Sequence, residues 1–293
     1  MKTDGPRISN GPQATLIISV YKNLDNLRCI LESLKYQSRN DFEVIVSEDG
    51  QDPEVASLIQ ILRSDLGYNL YHLNHPDLGF RKNKALNSAI RRSSSDLLIF
   101  IDGDCVPHPR FVESHTKEAR KYLICTGRRV ELGRKSSQIL IKSPSSIKTF
   151  ANRLLYSMAL LLLVMDGVKN PESGYFSRAL HRLAKHRYLS IVGCNFSCSK
   201  QALIDINGFN EDYEAPGIGE DSDVEWRFIR AGYEIKNIKF LAPLFHLWHE
   251  RSYSLSKRNK EIYDETRVKD QWFASRGLSL TDLDCVVEKN TAR

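Results

Sequence analysis

The chain has 293 residues, 41% of them hydrophobic and 27% charged, with ordinary amounts of glycine and proline. A composition this apolar excludes a disordered chain and is enough to bury a sizeable core, as one large domain or two fused halves. The formal net charge is +6, yet no long Lys/Arg block occurs. This excludes a basic nucleic-acid-binding tail and leaves a polyanionic small ligand or an anionic membrane surface as the partners that the charge suits.

The opening stretch, MKTDGPRISNGPQ, has no apolar segment behind its first charges, so residence in a cytosol is expected, without a secretory signal peptide. There the six cysteines, Cys29, Cys105, Cys125, Cys194, Cys198 and Cys285, should be thiols. Cys194 and Cys198 form a lone C-x3-C with no second ligand pair, which predicts buried small hydrophobes in place of a zinc site.

Thr15 to Val20 (TLIISV) reads as a buried strand, after which Leu24, Leu27, Leu31 and Leu34 recur at helical spacing. Phe42 to Val46 is a second strand, Val55, Leu58, Ile59 and Leu62 mark a second helix, and Leu70 to Leu73 is a short third strand. Ala85, Leu86, Ala89 and Ile90 share one face of a helix that Ser93 to Asp96 breaks. Leu97 to Ile101 (LLIFI) is the most hydrophobic strand, with both faces covered, and belongs at the sheet centre. Such alternation predicts a mostly parallel α/β sheet. No G-x-G-x-x-G follows the first strand, which removes the main support for a dinucleotide-dependent oxidoreductase.

From about Gly133 to Leu189 the alternation stops and the chain turns basic and helix-like. The apolar run Leu154 to Met165, interrupted only by Ser157, falls short of the about 20 residues that a membrane-spanning helix needs. Phe176, Leu180 and Leu183 then recur at helical spacing among Arg178, Arg182, Lys185 and Arg187. Compact structure returns with GCNFSCSK, a helix near Gln201 to Ile206, a turn at Gly208 and Phe209, and a helix from about Asp221 to Ala231. Ile235 to Leu244 is strand-like, and the last forty residues are polar.

Three groups carry chemistry. Asp102-Gly103-Asp104 follows the central strand. Asp-Gly pairs are common turn formers, but the carboxyl ends of strands in open α/β sheets are where ligands bind, and two carboxylates there offer hard oxygens to Mg2+ or Mn2+. The intervening glycine would let the backbone approach a diphosphate. Glu220-Asp221-Ser222-Asp223 opens a helix, where acids cap amides. The preceding loop Ala215-Pro216-Gly217-Ile218-Gly219 has few bulky side chains, as suits delivery of a general base into a cleft. Asp223 faces differently from Asp221 and is expected to tolerate replacement better. His246 and His249 are ordinarily read as a surface or core pair, but with an acidic site already present an imidazole would complete its coordination.

TLIISVYK, EDG at Glu48 to Gly50, GFRKNKALNSAI, LLIFIDGD, GCNFS and GEDSDVEWRF stand in an order and spacing that resembles family 2 glycosyltransferases. The likeness covers about Thr15 to Val130 and Gly193 to His249. It is nearest to bacterial polysaccharide and lipopolysaccharide transferases whose C-terminal half looks like that of β-1,4-galactosyltransferases. The resemblance implies a GT-A fold, that is, a Rossmann-like nucleotide-diphospho-sugar transferase with a mostly parallel sheet and a helical insertion. Residues 1–132 would be the nucleotide-sugar-binding half, 133–190 the basic insertion, 191–250 the acceptor and catalytic-base half, and 251–293 a polar extension.

By the same resemblance Asp49 with Glu48 would contact the nucleobase, Arg81 the diphosphate, and Asn87 would brace the donor loop. The usual Ala-Arg-Asn triplet reads Ala85-Leu86-Asn87, which leaves Arg81 as the stand-in arginine. Asp104 would be the principal metal carboxylate and Asp102 the ribose or second metal contact. His249 and His246 would be metal ligands, and Asp221, with Glu220 beside it, the catalytic base.

The implied reaction is inverting transfer of a hexose or N-acetylhexosamine from a nucleotide-diphospho-sugar, a UDP-sugar by expectation, to a hydroxyl of a glycan or lipid-linked glycan. Mn2+ or Mg2+ would be the cofactor, and nucleic acid would not be a partner. Two rivals stand beside it. One is a sugar-phosphate nucleotidyltransferase, which would show G-x-G-T-R where SVYKNLDN stands; the other is a catalytically silent nucleotide-sugar-binding or membrane-surface protein. Two readings of 133–190 also stay open: a core-packed helix pair with a solvated basic face, or peripheral contact with the anionic inner face of the cell membrane.

Overall fold

The computed structural model describes residues 11–217, 219, 221–250, 256–279 and 286–287. The first half supplies strands β1 (Ala14–Val20), β2 (Phe42–Glu48), β3 (Asn69–Asn74) and β4 (Leu97–Asp102), then β5 (Cys105–Pro107), β6 (Leu123–Thr126) and β7 (Arg129–Glu131). The second half adds β8 (Phe196–Ser199), β9 (Glu234–Asn237), β10 (Leu244–His246) and β11 (Val286–Val287). The helices are α1 (Leu24–Ser33), α2 (Pro53–Arg63), α3 (Lys82–Arg92), α4 (Phe111–Glu118), α5 (Arg134–Lys142) and α6 (Ile147–Ala151). They continue with α7 (Arg153–Met165), α8 (Arg178–Ala184), α9 (Lys200–Asp205), α10 (Asp221–Arg230) and α11 (Lys257–Val268).

Eight strands form one sheet in the order β11-β3-β2-β1-β4-β8-β6-β9, and a small sheet has the order β5-β10-β7. In the large sheet β1 pairs in parallel with β2 and β4, and β2 with β3, while β8 runs antiparallel to both β4 and β6. The most apolar strand, β4, is fifth of the eight and so central. Alternate side chains of these strands enter two buried clusters, one holding Leu16, Ile18, Val44 and Ile99, the other Ile17, Ile45, Leu98 and Phe100. Two covered faces explain why the sequence shows continuous apolar runs there. Local signals set the helix starts: Asp52 caps α2 ahead of Pro53, Asn152 caps α7, and Ser256 caps α11.

The strand-like stretch Ile235 to Leu244 is not one strand. Leu241 N donates to Ile238 O and Phe240 has a φ of 69°, and this turn sends β9 to the large sheet and β10 to the small one. The polar C-terminal segment also returns to the body. Asn207 Nδ2 donates to Ala274 O at 2.7 Å, and β11 pairs with β3 to form the edge of the large sheet.

The 133–190 segment differs from a core-packed helix pair. Leu140, Ile147, Phe150, Tyr156 and Leu163 enter the core, but most of α7 faces outward, and α8 has no buried residue. Phe176 lies outside α8 and stacks on His108 at 5.6 Å.

His115 of α4 is fully buried, with Nδ1 2.8 Å from Ser197 Oγ and Nε2 3.2 Å from Asn195 Oδ1. Burial pushes its pKa down to about 3, against the opposing pull of the Asn195 contact. The unfolded chain binds this proton below about pH 6.5 and the folded chain does not, so the stabilisation is complete above that pH and lost as pH falls. Urea unfolding at about pH 4.5 is therefore expected to show roughly 2–3 kcal/mol less stability from this residue than at neutral pH. His115→Gln should flatten that slope; an unchanged slope would exclude His115 as its source.

Candidate active site

The carboxyl ends of β1, β2 and β4 open into a cleft of about 670 Å³ lined by Tyr21, Asp49, Lys82, Asp102, Asp104 and His249, among others. A parallel sheet creates such a crevice because its crossover connections leave the strand ends uncovered at one edge. A narrower hollow shares Ser19, Lys82 and Asp102 with the cleft and adds Gly193 and Asp221. The loop before α10 borders the cleft through Pro216.

The small sheet is what assembles the acid and the two histidines. After Asp102 the chain turns through Gly103 and Asp104 directly into β5, which pairs antiparallel with β10 so that Cys105 faces His246. Leu247 N donates to Asp104 O at 2.8 Å, extending this pairing. His246 Nε2 and His249 Nε2 each lie 3.3 Å from Asp104 Oδ2. One ligand atom from each of the three residues falls within 4.8 Å of the others. Burial raises the Asp104 pKa, but the two imidazoles and the Cys105 thiol outweigh it and hold the carboxyl well below the usual range. One carboxylate oxygen and two imidazole nitrogens make a chemically suitable set for a divalent cation. Cys194 and Cys198, by contrast, are buried in the two core clusters, as expected of small hydrophobes.

Gly103 serves packing. Its N donates to Ser19 O at 2.7 Å, and an added Cβ would lie 2.9 Å from that oxygen. A close approach to β1 therefore already requires glycine here.

Asp102 stands apart from the histidines and accepts from Lys82 Nζ at 2.9 Å. The cation that meets Asp102 in the cleft is thus Lys82. The Arg81 guanidinium turns back to Pro76 O, and it is the Arg81 backbone N that donates to Asp49 Oδ2, at 2.8 Å. Asp49 also contacts His75 Nε2 at 2.8 Å and lines the cleft. Its neighbour Glu48 is only 1% exposed and does not reach the cleft; it is held by His72 Nε2 and Asp52 N, both at 2.7 Å. Lys82, Tyr21 and His75 were missed in the sequence. Lys82 was detectable as the first residue of the apolar-faced helix, whose side chain leans over the strand ends.

Asn87 is fully buried; its Nδ2 donates to Phe209 O and to Glu211 Oε1, both at 2.8 Å, while Phe209 N donates to its Oδ1. It braces the turn that leads to the 215–219 loop. In that loop Gly219 has a φ of 115°, and a Cβ there would strike the Tyr213 ring, so glycine is required by the backbone. Ile218 and Glu220 lie outside the described residues. Asp221 accepts from Gly193 N at 3.2 Å and from Ser222 N at 2.9 Å.

Asp223 is fully buried, and its Oδ2 accepts from Arg227 Nε at 2.7 Å. The expectation that it tolerates replacement better than Asp221 is corrected by this buried ion pair.

A mostly parallel α/β sheet with an acidic cleft at its carboxyl edge, closed on one side by a small sheet, defines the GT-A glycosyltransferase class. Glycosyl transferase family 2 matches residues 15–161, half of the chain, and this protein belongs to that family. The N-terminal domain of galactosyltransferase matches residues 176–250. Chondroitin synthase of Escherichia coli is 23% identical over 240 residues, covering 77% of this chain and 33% of that protein. The chain spans about a tenth to a third of the length of the curated relatives it matches. Staphylococcus aureus TarS (1–349), solved with UDP-GlcNAc, superposes with a TM-score of 0.58 at 15% identity, over 91% of this chain and 68% of that one. The Pyrobaculum calidifontis mannosyltransferase PcManGT, solved with GDP-Man and Mn2+, gives 0.54 at 15% identity, over 84% and 59%.

Proposed function

We propose that this chain is a metal-dependent inverting transferase that moves a hexose or N-acetylhexosamine from a UDP-sugar to a hydroxyl of a glycan or lipid-linked glycan. The observation that carries the reading is the convergence of Asp104, His246 and His249 on one point at the rim of the strand-end cleft. Asp102 and Lys82 stand inside that cleft, and Asp221 in the hollow adjoining it. With two imidazoles in the set, Mn2+ suits it better than Mg2+, which prefers oxygen. A cation held there supplies charge neutralisation to the departing diphosphate. The complex of TarS with UDP-GlcNAc supports a uridine donor, and that of PcManGT with GDP-Man makes GDP-sugars the comparison arm.

The chain's own groups divide the remaining work. Asp49 and Tyr21 line the side of the cleft available to the nucleoside. Lys82 supplies positive charge toward the phosphates, with Asp102 as its partner. Asp221 accepts the proton of the acceptor hydroxyl while that oxygen attacks the anomeric carbon. The bond from that carbon to the diphosphate oxygen breaks on the opposite face, its electron pair leaving with the diphosphate.

A screen of UDP- and GDP-sugars for acceptor-dependent nucleotide release tests this reading, with the product linkage read by NMR. Asp221→Asn is expected to lower kcat about a hundredfold to ten-thousandfold with the donor KM near that of the unaltered protein. A loss carried by donor KM would overturn the base assignment, and a retained anomeric configuration would overturn single displacement.

A further inference from the structure

We infer that α7 lies in the plane of an anionic lipid membrane, with its outward side inserted among the lipids. Leu154, Leu155, Met158, Leu161, Leu162, Val164 and Met165 are all exposed, five of them by about 70% or more. This is a contiguous apolar surface on a single helix, far beyond the scattered exposed hydrophobics of an ordinary soluble face. Between α5, α6 and α7 it continues into a groove of about 630 Å³ lined by Ile139, Phe150, Leu155 and Leu162, among others.

The charge of the segment that carries α7 favours lipid as the occupant. Residues 133–190 hold ten lysines and arginines against two acids, more than the +6 of the whole chain, so the remainder is slightly acidic. All ten of those basic residues are exposed. An exposed apolar helix within a strongly basic, solvated segment is the pattern of an interfacial helix, whereas the buried centre of a protein interface is depleted of lysine. No single helix among the described residues is long and apolar enough to cross a membrane, and the segment Pro144–Ala151 meets α7 at 101°. At 13 residues α7 by itself is too short to span the hydrocarbon core, which favours an in-plane placement over a crossing.

The surface is joined to the cleft by few bonds. Asp166, at the end of α7, accepts from Ser136 Oγ at 2.6 Å and Ser136 N at 2.8 Å, at the start of α5. The next residue, Ser137, accepts from Trp248 N at 2.7 Å, and the Arg134 guanidinium covers the Trp248 ring at 3.9 Å. Trp248 lies between His246 and His249 in the chain. A membrane gripping α7 therefore holds the rim of the cleft at the lipid surface.

The test is flotation of the full chain with vesicles of phosphatidylcholine alone and of phosphatidylcholine with phosphatidylglycerol. Lipid binding is read without any donor or acceptor, so its failure is separate from failure of the transferase reading. The unaltered chain should float with the anionic vesicles, less so at high salt. Met158→Glu with Leu161→Glu, at exposed positions that leave the fold intact by circular dichroism, should lower the bound fraction at least tenfold. Absence of flotation, equal flotation of the double variant, or a dimer in light scattering that the double variant dissociates without any lipid binding would each overturn the proposal.

Discussion

Asp104→Asn is expected to abolish Mn2+ binding measured by calorimetry and to lower transfer about a hundred- to thousandfold, roughly 3–4 kcal/mol of transition-state stabilisation. The carboxylate is the one anionic member of the cluster with His246 and His249. A neutral amide in its place removes the charge that draws a cation to two imidazoles. The side chain is a quarter exposed at a strand end, so the substitution opens no cavity and the unfolding midpoint should hold. Chelation by EDTA should reproduce the loss in the unaltered protein, and added Mn2+ should restore it. Full activity after chelation would show that the three residues do not act through a metal.

Asp223→Ala is expected to cost about 3–5 kcal/mol in urea unfolding, the range for removing one partner of a buried ion pair. The Asp223 and Arg227 side chains are 0% and 1% exposed and meet at 2.7 Å. The Tyr213 hydroxyl donates to the other Asp223 oxygen at 3.1 Å, and Arg227 Nη1 donates to Ile206 O and Gly208 O at 2.8 and 2.7 Å. Without the carboxylate a guanidinium stays buried among carbonyls with its charge uncompensated. The pair also ties α10, and with it Asp221, to the turn that Asn87 braces from α3. Replacing both partners by apolar residues of similar volume should recover much of the loss. A cost below about 1 kcal/mol for the single change would mean that the pair does not hold α10 in place.

The fold was legible where local pattern suffices. Continuous apolar runs marked β1, β2 and β4 because a strand covered on both faces has no polar side to show. The Asp-Gly-Asp turn was placed at the cleft by its position after the most apolar strand. Finer assignments failed where a one-residue shift changes direction. Glu48 and Asp49 are adjacent, yet one turns to His72 and the other to the cleft, since successive side chains at a strand end point oppositely. Arg81, at the N-cap of α3, and Lys82, its first residue, likewise turn to different partners, Pro76 O and Asp102.

The exposure of α7 was also hidden, because an apolar run without polar breaks reads the same whether it is buried or uncovered. By itself the sequence determined the class of sheet, its central strand and the presence of carboxylates at that strand's end. The family resemblance implied that His246 and His249 share a site with Asp104, and the structure sets both at 3.3 Å from its carboxylate; the tertiary structure alone decided that Asp223 is buried against Arg227 and that α7 faces outward. Periodicity records the environment of each segment, while the meeting of distant segments depends on the register of β5 against β10 and on packing, which no local pattern encodes.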